Sequence, residues 1–208
     1  MASAFRDRWA YPGGDPSIRL FDRVVNTWRL DLPHGARVLE LGCCESDFHH
    51  WLKRADPSID LTGVDVNLPH GYEGAFVQGP AEAQDFPHNS FEAVICLGSF
   101  EHFGLGFYGD PVNDMAQLET AKRIGQWLVP GGWWYYDVPW TPETSYITDN
   151  RHFRVYDDSM LRGLDFCAQV KAVCRAYAHG QTDALQPTRP VEPTVPFWYV
   201  QRLVEKSA

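Results

Sequence analysis

The sequence has no Cys-x-x-Cys pair, and its cysteines, Cys43, Cys44, Cys96, Cys167 and Cys174, are odd in number. That argues against a thiolate zinc site and against a disulfide framework. The thiols are expected to be reduced and mostly buried. No apolar run approaches the ~18 residues of a membrane span, and Met1 to Trp9 contain no long apolar segment of signal-peptide type. A soluble, cytoplasmic protein with no membrane partner is expected. Positive charge is scarce: 18 Lys and Arg stand against 27 Asp and Glu, for a net charge of -9. A broad basic surface for nucleic acid is therefore disfavoured. Internal repeats are missing too. At 208 residues, one domain can bury roughly 70% of its unfolded surface without disulfides or metals.

What is present is organised around the run from Arg37 to Leu52. Val38, Leu39 and Leu41 make a short buried strand, interrupted by the acid Glu40. Gly42 allows a sharp turn and close approach of a ligand, and Ser46 or Asp47 can cap the helix that follows. Cys44 and Ser46 stand where a glycine-rich loop would have further glycines. Alone, the run fits a nucleotide-type binding turn and an ordinary strand-to-helix turn equally.

Strand and helix then alternate. Before the run, Ile18, Leu20, Phe21, Val24, Val25 and Trp28 have helical spacing, preceded by a turn cluster at residues 11–16. After it come strands at Ile59–Asp65, Ala75–Val77 and Phe91–Leu97, with at most a helical turn near Ala81. Glycines and aromatics fill a loop from Phe100 to Asp110. A helix from Met115 to Leu128 should stop at Val129-Pro130-Gly131-Gly132, before an aromatic strand at Trp133–Val138. Residues 139–150 read as a second loop, and a short helix follows from Asp157 or Asp158 to Leu164. Strands at Phe166–Tyr177 and Phe197–Val204, joined by a proline-rich loop over Gln181–Pro196, make an antiparallel pair closing a parallel sheet.

Asp65 lies 23 residues after Gly42, at the end of the second strand. An acid at this spacing can accept from both hydroxyls of a ribose. A pyrophosphate needs close backbone approach at the second glycine position, which Cys44 hinders. A nucleoside with a small zwitterionic tail demands less there, so S-adenosylmethionine fits better than NAD.

With these pieces placed, the chain resembles the class I S-adenosylmethionine-dependent methyltransferases over roughly residues 36 to 204. The resemblance is carried by Val38-Leu39-Glu40-Leu41-Gly42-Cys43, Gly63-Val64-Asp65, Ala81-Glu82, Phe86-Pro87 with Ser90 to Val94, Glu101-His102 and Leu128 to Gly132. It implies an α/β, Rossmann-like three-layer sandwich whose mostly parallel seven-stranded sheet is closed by an antiparallel C-terminal strand. Residues 36–208 would form the S-adenosylmethionine-binding domain, and residues 1–35 a lead-in and helix. The aromatics Phe5, Trp9 and Tyr11 would either cover the cofactor as a lid or pack on the sheet edge. The resemblance further implies that Glu40 and Gly42 hold the methionine end, Asp65 the ribose, and Ala81-Glu82 the adenine, with Leu97 and Gly98 lining the cofactor; Cys44 and Val66 are expected among the cofactor-binding residues too. Residues 101–111 look like a little-characterised methyltransferase-like branch, which adds nothing about substrate.

The activity so implied is methyl transfer to a small polar or glycan-like acceptor, on oxygen or nitrogen. The alternative is a relative that kept the fold and lost turnover, a reading that Cys44 and Ser46 permit. An NAD oxidoreductase is disfavoured by the loop and by the closing antiparallel strands. Nucleic-acid methylation lacks support as well, since Leu97-Gly98-Ser99-Phe100 is neither an aromatic Pro-Pro motif nor a Pro-Cys nucleophile. His102 and His152 are the catalytic candidates near strand ends, with Tyr108, Asp110 and Asp137 beside them. Tyr108 and Asp110 would orient a polar substrate. No metal is expected: His49 and His50 are adjacent, so on a helix they diverge by about 100°.

Overall fold

The computed structural model describes residues 5–13, 15, 18, 19, 21, 22, 25, 30–164, 176–178 and 198–206. Seven strands form the main sheet: β1 (Arg37–Leu41), β2 (Asp60–Asp65), β3 (Ala75–Gln78), β4 (Phe91–Cys96), β5 (Leu128–Trp140), β8 (Ala176–Ala178) and β9 (Trp198–Glu205). Their order is β3-β2-β1-β4-β5-β9-β8. Strands β1 to β5 pair in parallel, whereas β9 runs antiparallel to both β5 and β8. This is the expected sheet.

Strand alternation divides the core into two layers of side chains. Val38, Ala93, Ile95, Trp133 and Tyr135 face Phe48 and Leu52 of α2 (Phe48–Ala55), together with Ile18, Phe21 and Val25. Leu39, Leu41, Val94, Cys96, Trp134 and Tyr136 face Ala121, Ile124 and Trp127 of α3 (Ala116–Trp127) and Leu161 and Leu164 of α4 (Asp158–Leu164). Both faces of the parallel strands are thus covered, which is why β4 reads as a nearly continuous apolar run.

The N-terminal aromatics belong to the first layer. In and just after α1 (Phe5–Arg8), Phe5 and Trp9 are buried, and the Trp9 ring lies 5.4 Å from Phe21 and 5.8 Å from Phe48. Tyr11 packs edge-on against Trp51 at 5.5 Å. Of the two placements expected for them, packing prevails over a lid, because the sheet face beside β1 needs apolar cover.

Two loops also differ from expectation. Val129 to Gly132 do not end the chain's excursion before β5 but form a bulge inside it, with Phe91 opposite Leu128 and Ala93 opposite Trp133. The Gly131 amide donates to the Lys206 carbonyl and the Lys206 amide to that of Gly132, both at 2.9 Å, so the residue just after β9 satisfies the bulge. Residues 139–150, read as a loop, contain β6 (Tyr146–Ile147), paired antiparallel with β7 (Arg154–Val155). A bridge between Trp140 and Tyr156 ties this hairpin to the end of β5. Cys167 and Cys174, the loop over Gln181–Pro196, most of the strand expected from Phe166, and Leu20, Val24 and Trp28 lie outside the described residues.

Candidate active site

Strand order reverses between β1 and β4, and a cavity of about 370 Å³ opens at the carboxyl ends of the strands there. That is the crevice in which open α/β sheets bind ligands, and the volume suits a small molecule. Gly42 forms one wall with φ +74°, and its amide donates to the Val64 carbonyl at 2.8 Å. A Cβ there would fall 2.3 Å from the Ser99 Cβ. Gly42 is required by both conformation and space. At the start of α2 the Ser46 hydroxyl accepts from the Phe48 amide at 3.0 Å, whereas Asp47 makes no side-chain cap.

Asp65 ends β2 on the cavity wall. Its carboxylate accepts the Cys44 amide on one oxygen and the Asn67 amide on the other, each at 2.9 Å. Each oxygen retains lone-pair capacity toward the cavity, as a ribose diol would require. Cys44 therefore replaces a glycine without losing the amide that fixes Asp65, and its thiol donates to the Leu68 carbonyl at 3.5 Å. Val66, Ala81, Glu82, Leu97 and Gly98 also line the cavity, and burial pushes the Glu82 carboxyl up.

Glu40 is not on that wall. On the opposite face of β1 from Leu39 and Leu41 it is buried, and the Tyr72 hydroxyl donates to its carboxyl at 2.9 Å. Tyr72 reaches it across Gly63, where a Cβ would meet the Tyr72 ring at 2.5 Å. Burial raises the Glu40 pKa to about 8. Glu40, expected at the methionine end, lies beneath the binding turn and interacts with Tyr72 and with Ser46 of the wall.

His102 follows β4 in a short 3-10 turn, Phe100–His102, and lines the cavity. Its Nδ1–H donates to the His152 carbonyl, leaving Nε2 as the acceptor, and burial lowers its pKa to about 4. His102 is neutral at physiological pH and too weak a base to take a proton from an ordinary alcohol in a fully formed transfer. The His152 ring is not on the wall; it packs at a tilt against Phe107 with ring centroids 4.3 Å apart, and the Tyr108 hydroxyl lies 3.5 Å from its Nε2. Arg151 stands at φ +54° just before His152, whose carbonyl accepts from His102 and whose ring lies 5.0 Å from the His102 ring. His152 thus stands behind His102 and contacts it through its carbonyl. Tyr108 and Asp110 do line the cavity.

Asp137 is fully buried behind the wall, where its Oδ1 accepts the Gly98 amide at 3.2 Å, and burial raises its pKa to about 7. Glu101 is buried as well, and burial together with Asp137 pushes its carboxyl well up. Sequence reasoning missed Asp15, Glu45, Asn67, Ser99 and Phe103 on the wall. The Ser99 hydroxyl lies 3.0 Å from the Gly42 carbonyl and 2.8 Å from that of Leu97. Glu45, Asn67, Ser99 and Phe103 each stand within two residues of a predicted site position, whereas Asp15 is remote from all of them. Among the described residues no group of three His, Cys, Asp or Glu side chains could hold a metal, and no helix is long and apolar enough to cross a membrane.

A parallel sheet of order 3-2-1-4-5 closed by a reversed strand, with an acid ending β2 above a glycine turn, defines the class I methyltransferase fold. Residues 39–136 match the methyltransferase domain family. The chain is similar to a fatty-acid O-methyltransferase of Mycolicibacterium smegmatis, at 32% identity over 111 residues. That match covers 49% of this chain and 36% of the relative, so the chain spans little more than a third of that protein. Among solved structures, the Burkholderia thailandensis 1,6-didemethyltoxoflavin-N1-methyltransferase, with bound 1,6-didemethyltoxoflavin and S-adenosylhomocysteine, aligns with a TM-score of 0.62 at 17% identity, covering 93% of this chain and 79% of that one. The [4+2]-cyclase SpnF aligns with a TM-score of 0.61 at 16% identity, covering 91% and 81%. At such identities the likeness is one of fold.

Proposed function

We propose that the protein is an S-adenosylmethionine-dependent methyltransferase acting on oxygen or nitrogen of a small polar acceptor. The observation that carries this reading is Asp65, held by two backbone amides at the switch point and facing the cavity above Gly42. The cavity fits the cofactor: Asp65 would take the ribose hydroxyls and Glu82 the adenine amino group. The turn over Gly42 and Cys44 would hold the methionine end, with Leu97 and Gly98 along the chain between. Bound S-adenosylmethionine supplies a methyl group already activated by a positive sulfur. The protein's residues then contribute placement, worth roughly 7 to 11 kcal/mol in favourable cases, and His102, Tyr108 and Asp110 line the side where an acceptor would stand.

Calorimetry with S-adenosylhomocysteine tests the cofactor assignment. Asp65→Ala removes two charge-assisted hydrogen bonds and the anchor of two amides, and should weaken binding about 100-fold or more. Unchanged affinity would refute the ribose role, and tighter binding of NAD than of the sulfur compound would refute the cofactor. A second reading, a cofactor-binding protein without methyl transfer, is favoured by the low pKa of His102. It predicts S-adenosylhomocysteine binding with no methylated product from any acceptor.

A further inference from the structure

From the charge of the cavity wall we infer that the methyl acceptor is an amine with an apolar body, and that Asp110 recognises its nitrogen. This rests on the methyltransferase reading above. Asp15, Glu45, Asp65, Glu82 and Asp110 line the cavity, and neither Lys nor Arg does among the described residues. Asp65 is engaged by amides, and Asp15 Oδ1 accepts the Ile18 amide at 3.1 Å. Asp110 differs from both. Its two carboxylate oxygens are buried and have no hydrogen-bond partner among the described residues. A buried carboxylate without a donor is costly, and an ammonium or amine N–H supplies what is missing. A carboxylate acceptor would bring like charge into a wall already anionic.

The cofactor does not neutralise this wall. S-adenosylmethionine carries one net positive charge, against five carboxylates. Beside Asp110, His102 lines the same cavity as an uncharged imidazole, so it does not repel an incoming cation. At the mouth, Tyr108 lines the cavity while remaining partly exposed, and the exposed Phe107 packs against it with ring centroids 5.1 Å apart. The Asn67 side chain donates to the Tyr108 carbonyl at 3.2 Å, which fixes these rings beside the Asp65 turn. An amine whose nitrogen reaches Asp110 therefore lays its body on Tyr108 and Phe107.

The reaction balances without a further reagent. The bound ammonium gives one proton to solvent through the open mouth, and the nitrogen lone pair attacks the methyl carbon. The N–C bond forms as the C–S bond breaks, with its electron pair passing to sulfur. The products are the methylammonium and S-adenosylhomocysteine.

Three probes of one skeleton test the assignment by calorimetry on protein saturated with S-adenosylhomocysteine: 2-phenylethylamine, 2-phenylethanol and 3-phenylpropionate. The amine is expected to bind at least ~10-fold more tightly than the alcohol and ~100-fold more tightly than the carboxylate, as for a charge pair brought from water into a partly enclosed site. Asp110→Asn should remove most of the amine's advantage while S-adenosylhomocysteine affinity stays within about 3-fold, which also reports a folded protein. Ethylamine, lacking the ring, should bind more weakly than 2-phenylethylamine. Carboxylate binding equal to or tighter than amine binding, no measurable amine binding to the saturated protein, or an unchanged preference in Asp110→Asn would each overturn the inference. Failure to bind S-adenosylhomocysteine at all would instead refute the methyltransferase reading on which it stands.

Discussion

Replacing Gly42 with alanine challenges the binding turn at the residue where backbone conformation and packing coincide. At φ +74° an L side chain costs about 1–2 kcal/mol by crowding its own carbonyl. The new methyl would also stand 2.3 Å from the Ser99 Cβ and 2.6 Å from its Oγ, and Ser99 cannot yield freely because its hydroxyl sits between the Gly42 and Leu97 carbonyls. Displacing a packed neighbour adds about 1–3 kcal/mol, for a total of about 2–5 kcal/mol. At about 2–4 °C per kcal/mol for a chain of this size, Gly42→Ala should melt roughly 4–20 °C below the parent. Circular dichroism melts measure this, and calorimetry should show weaker S-adenosylhomocysteine binding at a temperature where both proteins are folded. Ser99→Gly removes the clash but not the strained φ, so a double-mutant cycle should show compensation between the two substitutions. A melt within about 2 °C of the parent, or strict additivity in the cycle, would refute the reasoning.

Glu40 gives a pH-dependent prediction. Its folded pKa of about 8 lies above the ordinary 4.5, so between those values the native state holds a proton that the unfolded chain releases, and stability falls as pH rises through that window. Glu40→Gln keeps an acceptor for the Tyr72 hydroxyl and should flatten the decline, gaining on the order of 1–4 kcal/mol over the parent at pH 8. Urea unfolding at pH 5 and pH 8 measures it; parallel pH dependences in the two proteins would contradict the buried, protonated carboxyl. Trp9→Ala tests the placement of the N-terminal aromatics. Removing a ring packed on Phe21 and Phe48, with its Nε1–H donated to Asp22 at 2.8 Å, should cost about 3–5 kcal/mol in urea unfolding. Affinity for S-adenosylhomocysteine in the folded protein should stay within about 3-fold, whereas a lid residue would show the reverse pattern.

Much of the sheet was legible because β1, β2 and β4 are short apolar runs ending in glycine or acid, and the composition of Phe91 to Leu97 permits little but a strand covered on both faces. That Gly42 and Asp65 share one cavity wall was legible for a related reason: both are placed by local turns, so their spacing along the chain fixes their spacing in the fold. The surroundings of Glu40 were not legible, because a strand's alternation puts it on the face away from Leu39 and Leu41, and only the packing of Tyr72 over Gly63 shows how that face satisfies an acid. The hairpin of β6 and β7 was invisible, since two paired residues on each side leave no period to detect. Asp15 carried no site signal at all. It reaches the cavity from a turn that is distant in sequence and is brought there by tertiary packing.

The hydrogen bond from His102 to the His152 carbonyl joins two parts of the chain that are fifty residues apart. The proposed cofactor wall is assembled from the turns after β1 to β4, between Gly42 and Gly98, while the proposed acceptor wall comes from residues 99–110 and is braced by the hairpin inserted after β5. Heritable change in the hairpin, in its length or in the residues that carry its bend at Arg151, therefore tilts His102 and the rings beside it without touching a single group that would hold the cofactor. In evolutionary terms the acceptor preference and the cofactor requirement are separately adjustable. Exchange of residues 141–156 between related chains would be a compact route to altered acceptor choice on a constant methyl-donor platform.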